Sequence, residues 1–263
     1  MRGFVNEGTV CYFNTAIQCL FNIPILTNHF LREPYNKNEG KCVFTIFYQE
    51  MLKKYWTANK TPIDLTPLQF AFQKEFPRFK TDEQHDVQET ILCIVDILER
   101  SQPIIKEWFY GKKKQETIWP TGKTVNEEDF SIHLMTYNGN SDLNQMIQSS
   151  TGWNTLENFK DENGIQHNVA TTRMTFSKIQ PIFMISFDSK SHIKVMEELT
   201  INDKEYKLIS CAMHVGNQHD GHYVCYIRRK DRWFFINDER VSESELPSEG
   251  SCYLMVYSPK NRS

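Results

Sequence analysis

Several features are missing from this sequence of 263 residues, and each absence argues against a class of protein. No C-x-x-C pair occurs, which disfavours a cysteine-rich structural zinc site. The formal net charge of −3 leaves no basic excess to neutralise phosphates, so we expect no nucleic-acid partner. No stretch approaches the roughly 18 apolar residues of a membrane span, and the first residues lack the apolar core of a signal peptide. We therefore expect no membrane partner.

The seven cysteines are an odd number, are spread along the chain and accompany no secretory feature. This usage is typical of reduced thiols, so we predict a cytoplasmic or nuclear protein. A chain of this length buries most of its apolar surface without disulfides. We expect a single domain, residues 1–263, that acts as a monomer.

Helical spacing of apolar residues dominates the first hundred residues. One helix is predicted to begin near Cys11. A second has Thr66 as its N-cap and Pro67 at its first helical position. A third opens with Thr81 and Gln84 in capping-box spacing.

Short alternating segments follow residue 109 and indicate strands. Lys230–Asp231 predicts a hairpin turn between two of them. The polar stretch between Tyr137 and Phe176 is typical of an extended hairpin or of an insertion. Helices followed by strands predict the α+β fold class with an antiparallel sheet.

Cys11 is the first candidate for a catalytic residue. Gly8 permits a tight turn before it, and at the start of a helix the dipole favours a thiolate. The Asn6 side-chain amide, together with the Cys11 backbone N–H, could hold a developing oxyanion. Cys19 lies two turns further along and is interpreted as a core thiol. Isolated cysteines are usually buried and inert, so a catalytic Cys11 needs partners elsewhere in the chain.

Those partners lie in the predicted hairpin near the end of the chain. His222 opens one strand and Asn237 closes the next, so antiparallel pairing brings them together. The Asn237 amide oxygen would accept from Nδ1–H of His222 and turn Nε2 towards the thiol. The arrangement predicts a Cys-His-Asn triad.

A catalytic zinc site is the alternative interpretation of the same region. His214, His219 and His222 are close in sequence, and three histidines with one water suit catalytic zinc. The Asn, Gly and Asp residues between them are typical of a turn rather than of rigid support for ligands. We therefore expect no metal and no other cofactor.

Several segments together resemble the ubiquitin-specific proteases, which are papain-like deubiquitinases. GFVNEGTVCYFNTAIQCLFNIP is similar to the cysteine box of that family and departs from it at Glu7, Thr9 and Val10. QHDVQE resembles a second family segment. YKLISCAMHVGNQHDGHYVCYIRR, RWFFINDERVSE and CYLMVYS resemble its histidine box and closing strands. The segments occur in the family's order and span nearly the whole chain.

The resemblance implies a papain-like fold built from a thumb, a palm and fingers. The helical thumb would occupy residues 1–108, and reduced fingers with the start of the palm would occupy residues 109–176. Residues 177–263 would form the antiparallel palm with the histidine box. Because the zinc-binding C-x-x-C pairs of many members are absent, the resemblance is to a compact member.

The resemblance also implies a role for each site residue. Cys11 would be the nucleophile and His222 the general base. Asn237 would be the third member of the triad, and the adjacent Asp238 would assist it or substitute for it. Asn6 would supply the oxyanion-hole amide.

The implied activity is that of a thiol protease that cuts after the terminal Gly-Gly of ubiquitin or of its conjugates. Carboxylates at Asp86 and Glu89 would pair with arginines of the ubiquitin tail, although exposed acids usually face only solvent. The residues expected to contact the tail are Gln84, Asp86, Glu89, His214, Gly221 and Tyr223. Two alternatives stay open: a protease for a ubiquitin-like modifier, and a non-catalytic ubiquitin-binding module.

Overall fold

A computed structural model describes residues 1–32, 42–81, 83–136, 142–187, 192–216 and 221–260. Helices fill the first part of the chain. They are α1 (Cys11–Phe21), α2 (Pro24–Arg32), α3 (Val43–Tyr55), α4 (Thr66–Glu75), α5 (Val87–Ser101) and α6 (Ile104–Phe109), with a 3₁₀ turn at Pro77–Phe79. Within the described ranges, no helix combines the length and the apolar character that a membrane crossing requires.

The start of α4 differs by one residue from the prediction. Thr66 is the first helical residue rather than the N-cap, and Leu65 occupies the N-cap position without a side-chain hydrogen bond. Asp64 Oδ1 instead accepts from the Thr66 backbone N–H at 2.8 Å. An ionised carboxylate beside the positive end of a helix therefore does what was predicted for a hydroxyl.

The start of α5 differs more. The capping box predicted at Thr81 and Gln84 is wrong, because the helix begins at Val87. Asp86 is the N-cap, and its Oδ1 accepts from the Glu89 backbone N–H at 2.8 Å. Aspartate caps a helix at least as well as threonine does. The competing D-x-x-E spacing therefore determines where the helix starts.

Two sheets follow the helices. Strands β1 (Gly111–Trp119), β2 (Gly122–Phe130), β4 (Asn154–Lys160) and β5 (Gln166–Lys178) form an antiparallel sheet in the order β2-β1-β5-β4. The larger sheet contains β3 (Ile132–Met135), β6 (Phe183–Phe187), β7 (His192–Lys194), β8 (Glu198–Ile201), β9 (Lys204–Val215), β10 (His222–Arg229), β11 (Arg232–Asn237), β12 (Arg240–Ser244) and β13 (Glu249–Pro259). Its path is β12-β11-β10-β9-β13-β6-β3, with β7 beside β13 and β8 beside β9.

The polar stretch after residue 137 contains the predicted hairpin, formed by β4 and β5. A helix that the sequence analysis missed, α7 (Leu143–Ser150), precedes it and is capped by Asp142, which accepts from the Gln145 N–H. Residues 137–141 of this stretch lie outside the described residues. The larger sheet is also not wholly antiparallel, because β3 pairs with β6 in parallel. The long intervening segment makes the crossover between parallel strands possible.

The hydrophobic core around α1 fixes the position of the site. Every residue of α1 is buried, and the helix packs against α5 and against β10. The Phe21 ring at its end contacts the rings of Phe4, Tyr48 and Tyr55. A helix enclosed on all sides has little freedom to rotate or shift, so its first residue, Cys11, is held against the sheet.

Candidate active site

The N-terminal segment lies directly against the turn between β11 and β12. The Phe4 backbone N–H donates to the Asp238 carbonyl at 2.9 Å. A side chain at position 3 would collide with the backbone of Asp238 and Glu239, so only glycine allows this approach. Asp238 itself has φ 48°, a conformation that Asp and Asn adopt more readily than most residues. The segment at Gly3 and the turn therefore fix each other.

His222 and Asn237 meet as the hairpin prediction requires. Strands β10 and β11 pair in antiparallel register, and His222 Nε2 lies 2.9 Å from Asn237 Oδ1. The predicted ring nitrogen is wrong, because Nε2 rather than Nδ1 makes this contact. Strand pairing fixes which residues meet but not the rotation of the ring. Nδ1 is the ring nitrogen that does not contact Asn237.

Cys11 begins α1 as predicted, and it lies beside β10. The backbone N–H of Tyr223, the residue after His222, donates to its sulfur. Burial raises the pKa of the Cys11 thiol above its ordinary value, backbone N–H groups partly oppose this, and the charge of Asp238 adds to the rise. Desolvation of Cys11 thus outweighs the helix terminus, which by itself favours a thiolate. A base must remove the thiol proton.

The protonated thiol predicts that the alkylation rate of Cys11 rises only at high pH. Because a raised cysteine pKa favours the neutral form in the folded protein, the iodoacetamide reaction of Cys11 should keep accelerating above pH 9. Peptide mass spectrometry after short exposures at several pH values measures the rate at this cysteine alone. Cys19, whose pKa burial raises to about 12, should stay unmodified in the folded protein. A Cys11 rate that levels off below pH 7 would contradict the neutral thiol.

Asp238 is held in place by two amides. Its Oδ2 accepts from Asn6 Nδ2 at 2.7 Å, and its Oδ1 accepts from Asn14 Nδ2 at 2.9 Å. The same Oδ2 lies 3.7 Å from His222 Nε2. The carboxylate is thus oriented towards the side of the imidazole that faces Asn237. Asn14 was not predicted as a site residue, although its position three residues after Cys11 places the two on one helix face.

Asn6, which was predicted to hold an oxyanion, also makes a hydrogen bond that was not predicted. One N–H of its amide donates to Asp238, and the amide nitrogen carries a second hydrogen besides that one. Its Oδ1 is buried without a hydrogen-bond partner among the described residues. The contact with Asp238 fixes the direction of the remaining N–H.

A row of side chains crosses from α5 to the larger sheet. Asp86 accepts from the Tyr253 hydroxyl through Oδ2, in addition to its capping bond through Oδ1. The Tyr253 ring lies 5.5 Å from the Tyr223 ring, which lies 4.7 Å from the His214 ring. We call Asp86, Tyr253, Tyr223 and His214 the aromatic row, after the three rings among them. It contains three of the six residues predicted to contact a peptide tail.

The other three predicted residues lie around this row. Gln84 is exposed before α5, and Gly221 is buried immediately before His222. Glu89 forms an ion pair with Arg78 at 2.8 Å, and both side chains are about half exposed. Such a pair contributes little to stability, so another cation readily replaces Arg78 beside Glu89.

The zinc alternative involves His219, which lies outside the described residues. Among the described residues, no group of three or more His, Cys, Asp or Glu side chains could hold a metal ion. His222 contacts Asn237 and faces Asp238 instead.

Asp86→Ala should lower the free energy of unfolding by about 2 kcal/mol, because it removes both a helix cap and a hydroxyl partner. Asp86→Asn should cost less, since asparagine also caps helices. Urea denaturation measures both variants. The matched control is Asp96→Ala on the same helix, which removes only an exposed pair with Arg100 and should cost at most about 0.5 kcal/mol. Equal losses for Asp86→Ala and Asp96→Ala would show that Asp86 stabilises nothing.

A cysteine at a helix start, a histidine that contacts an asparagine and an amide beside them are the arrangement typical of cysteine hydrolases of the papain-like class. Residues 2–257 match the family described as ubiquitin carboxyl-terminal hydrolase. The chain therefore belongs to that family, and the resemblance drawn from its motifs is confirmed.

Relatives and solved structures agree. Ubiquitin carboxyl-terminal hydrolase 5 of Schizosaccharomyces pombe is 25% identical over an alignment of 283 residues, which covers 93% of this chain and 25% of that protein. Ubiquitin carboxyl-terminal hydrolase 32 of Drosophila melanogaster is 33% identical over 138 residues, 50% of this chain and 8% of that protein. This chain thus spans a quarter or less of either relative.

The fold is also similar to a chain in the solved structure of the SAGA Ubp8/Sgf11/Sus1/Sgf73 DUB module bound to ubiquitin aldehyde. The TM-score is 0.87 at 17% identity, covering 99% of this chain and 70% of that chain. The likeness confirms a papain-like ubiquitin-specific protease fold.

Proposed function

We propose that this chain is a deubiquitinating cysteine protease that hydrolyses the isopeptide or peptide bond after the C-terminal Gly-Gly of ubiquitin. The observation that carries the proposal is the contact of His222 with Asn237 and Asp238. The next residue of the strand, Tyr223, donates its backbone N–H to the Cys11 sulfur. Membership of the family supports ubiquitin as the modifier. A module that only binds ubiquitin has no use for this arrangement.

The proposed reaction begins with transfer of the Cys11 thiol proton to His222. The sulfur then attacks the carbonyl carbon of the terminal glycine, while the Asn6 amide and a backbone N–H hold the oxyanion. His222 returns the proton to the leaving amine, and a thioester remains. A water molecule, deprotonated by His222, attacks the thioester and restores the thiol.

The ubiquitin tail would run along the aromatic row towards Cys11. Glu89 could exchange Arg78 for an arginine of the tail, with Gln84 nearby on the exposed side. Asp86 would act through its hold on Tyr253 and through its remaining acceptor capacity. Buried Gly221 would keep the channel narrow enough to demand a Gly-Gly end.

We propose that residues 1–263 act as one monomeric catalytic domain. Helices before residue 109 would be the thumb, residues 109–176 the reduced fingers with the start of the palm, and residues 177–263 the rest of the palm. The protein would work in the cytosol or nucleus. The seven free cysteines support a reducing compartment.

The experiment is hydrolysis of a panel of fluorogenic C-terminal amides, made from ubiquitin and from ubiquitin-like modifiers that end in Gly-Gly. Wild type should release the dye from the ubiquitin amide, and Cys11→Ser should release none. Hydrolysis of only a ubiquitin-like amide would show that the modifier is wrong. Failure on the whole panel, by folded protein, would show that the enzyme proposal is wrong.

A further inference from the structure

A cavity of about 390 Å³ opens beside the loop that precedes Cys11. One wall is that loop, residues 5–10, together with Asn14 on the first turn of α1. Helix α4 contributes further lining residues, from Thr66 to Gln73, with Asp64 and Leu65 before it, and Lys80 and Thr81 complete the lining. No residue of the aromatic row lines the cavity, and none of the residues predicted to contact the ubiquitin tail does.

The position of the cavity matters because an isopeptide bond has a polypeptide on each side. The aromatic row comes from α5 and from the strands β9, β10 and β13, whereas the cavity is bounded by other parts of the chain. Asn14 belongs to the cavity wall and also holds Asp238 beside His222. In the proposed reaction His222 hands its proton to the leaving amine. The cavity therefore adjoins the groups that release the leaving chain.

We propose that this cavity binds the leaving-group polypeptide, the segment of the substrate protein that carries the modified lysine, and that it favours a basic segment. The inference rests on the proposed function and deepens it. It assigns a site for the part of the substrate that is not ubiquitin.

The charges in the wall carry the preference for a basic segment. Glu7 is exposed in the loop, and within the described part of the chain it forms no ion pair. Asp64 is ionised, since hydrogen bonds from Thr66 hold its pKa below the usual value. Lys80 is the cation of the lining, which thus holds two carboxylates and one ammonium group. Lys54, outside the lining, also acts on Asp64. An arginine or lysine of the substrate would correct this imbalance.

Phe70 adds an apolar side chain to the lining of the cavity. Its side chain on α4 is 67% exposed, the largest exposure recorded among the large hydrophobic residues of the described ranges. The face of an aromatic ring attracts a guanidinium or ammonium group, and the methylene stem of a lysine packs on the same surface. Phe70 therefore suits the kind of segment that the two carboxylates attract.

The loop before Cys11, which lines the cavity, is also where the sequence departs from the cysteine box of the family. Glu7, Thr9 and Val10 all line the cavity. Gly8 between them has φ 141°, a conformation that favours glycine. The backbone of the loop is thus set by Gly8, and the side chains that differ from the family are presented to the cavity.

The test compares three substrates of one enzyme. Ubiquitin is joined through an isopeptide bond to a lysine flanked by arginines, to the same peptide with glutamates instead, or to a small dye with no polypeptide. The readout is kcat/KM for each peptide divided by kcat/KM for the dye. Wild type should prefer the arginine peptide over the glutamate peptide by about tenfold, with a smaller ratio at high salt.

Glu7→Lys should abolish the preference for the arginine peptide, and Phe70→Ala should lower the ratio for both peptides by about fivefold. The matched controls are Glu50→Lys and Ile104→Ala, an exposed acid and an exposed apolar residue outside the cavity wall. Both should keep the wild-type ratios.

Equal use of the two peptides by wild type, or unchanged ratios in both Glu7→Lys and Phe70→Ala, would overturn this inference and leave the proposed function intact. Failure of folded wild type on all three substrates would overturn the proposed function, and the inference with it. Circular dichroism of each variant separates lost folding from lost recognition.

Discussion

Asp238→Asn is expected to lower kcat by about 100-fold, which corresponds to about 3 kcal/mol in the transition state. When the imidazole takes the Cys11 proton it becomes a cation. Asn237 orients the ring but offers no charge, whereas Asp238 Oδ2 lies 3.7 Å from the same nitrogen. Among the described residues, Asp238 has the only carboxylate recorded within 4 Å of a ring nitrogen of His222.

The variant is chosen so that the turn survives. Asparagine tolerates the positive φ of position 238 about as well as aspartate does. It has one acceptor oxygen, so only one of the Asn6 and Asn14 amides would keep its partner. Asn14→Ala, which keeps the charge and removes one amide, is therefore the comparison, and it should cost about tenfold in kcat.

Steady-state kinetics on the ubiquitin amide measures the effect. KM should change little, because Asp238 faces the imidazole rather than the substrate, and Asn237→Ala should cost less than Asp238→Asn. An Asp238→Asn enzyme that keeps most of its activity while Asn237→Ala loses it would assign the whole role to Asn237.

His133→Phe is expected to make the fold resistant to mild acid. His133 is 4% exposed on β3, and both ring nitrogens lack hydrogen-bond partners among the described residues. Its ring lies among Phe130, Phe176 and Phe183. Burial lowers the pKa of His133 to about 3, and the nearby Lys113 charge adds to the shift.

The sign of the pH effect follows from that shift. The unfolded chain, with an ordinary histidine pKa near 6.5, binds the proton more tightly than the folded chain does. The folded state is therefore unaffected above about pH 6.5 and loses stability as the pH falls towards 3. At pH 5 the loss is about 2 kcal/mol.

Urea denaturation of wild type and His133→Phe at pH 7.5 and pH 5 gives the comparison. The drop between the two pH values should be smaller in the variant by about 2 kcal/mol, since other titrating groups are common to both proteins. At pH 7.5 the variant should be at least as stable, because two unpaired buried nitrogens are gone. The same drop in both proteins would mean that His133 is hydrated in solution.

The hairpin of β10 and β11, which begins at His222, shows what the sequence can predict. Strand β10 begins at His222, and the turn at Lys230–Asp231 joins it to β11, as the local pattern indicates. Alternation and turn residues are local signals, so the pairing of His222 with Asn237 follows from about fifteen consecutive residues. The residue types of a cysteine triad predicted that this hairpin partners Cys11, and the family motifs supported that prediction.

The two amide hydrogen bonds that hold the Asp238 carboxylate could not be predicted in the same way. Asn6 and Asn14 lie 232 and 224 residues from it along the chain, and no periodicity relates them. The rotation of the imidazole and the desolvation of Cys11 likewise depend on how α1 packs against β10. The predicted helix starts were wrong for a local reason: the Asp64 and Asp86 carboxylates, rather than the threonine hydroxyls, accept from the backbone N–H groups.

Mapping the covalent adduct of ubiquitin that carries a C-terminal thiol-reactive electrophile tests the central claim most directly. Intact mass should show one ubiquitin per chain, and peptide mass spectrometry should place it on Cys11. Cys11→Ser should stay unlabelled, and His222→Ala should react far more slowly because the buried thiol keeps its proton. An adduct on another cysteine, or none on a folded chain, would contradict the account.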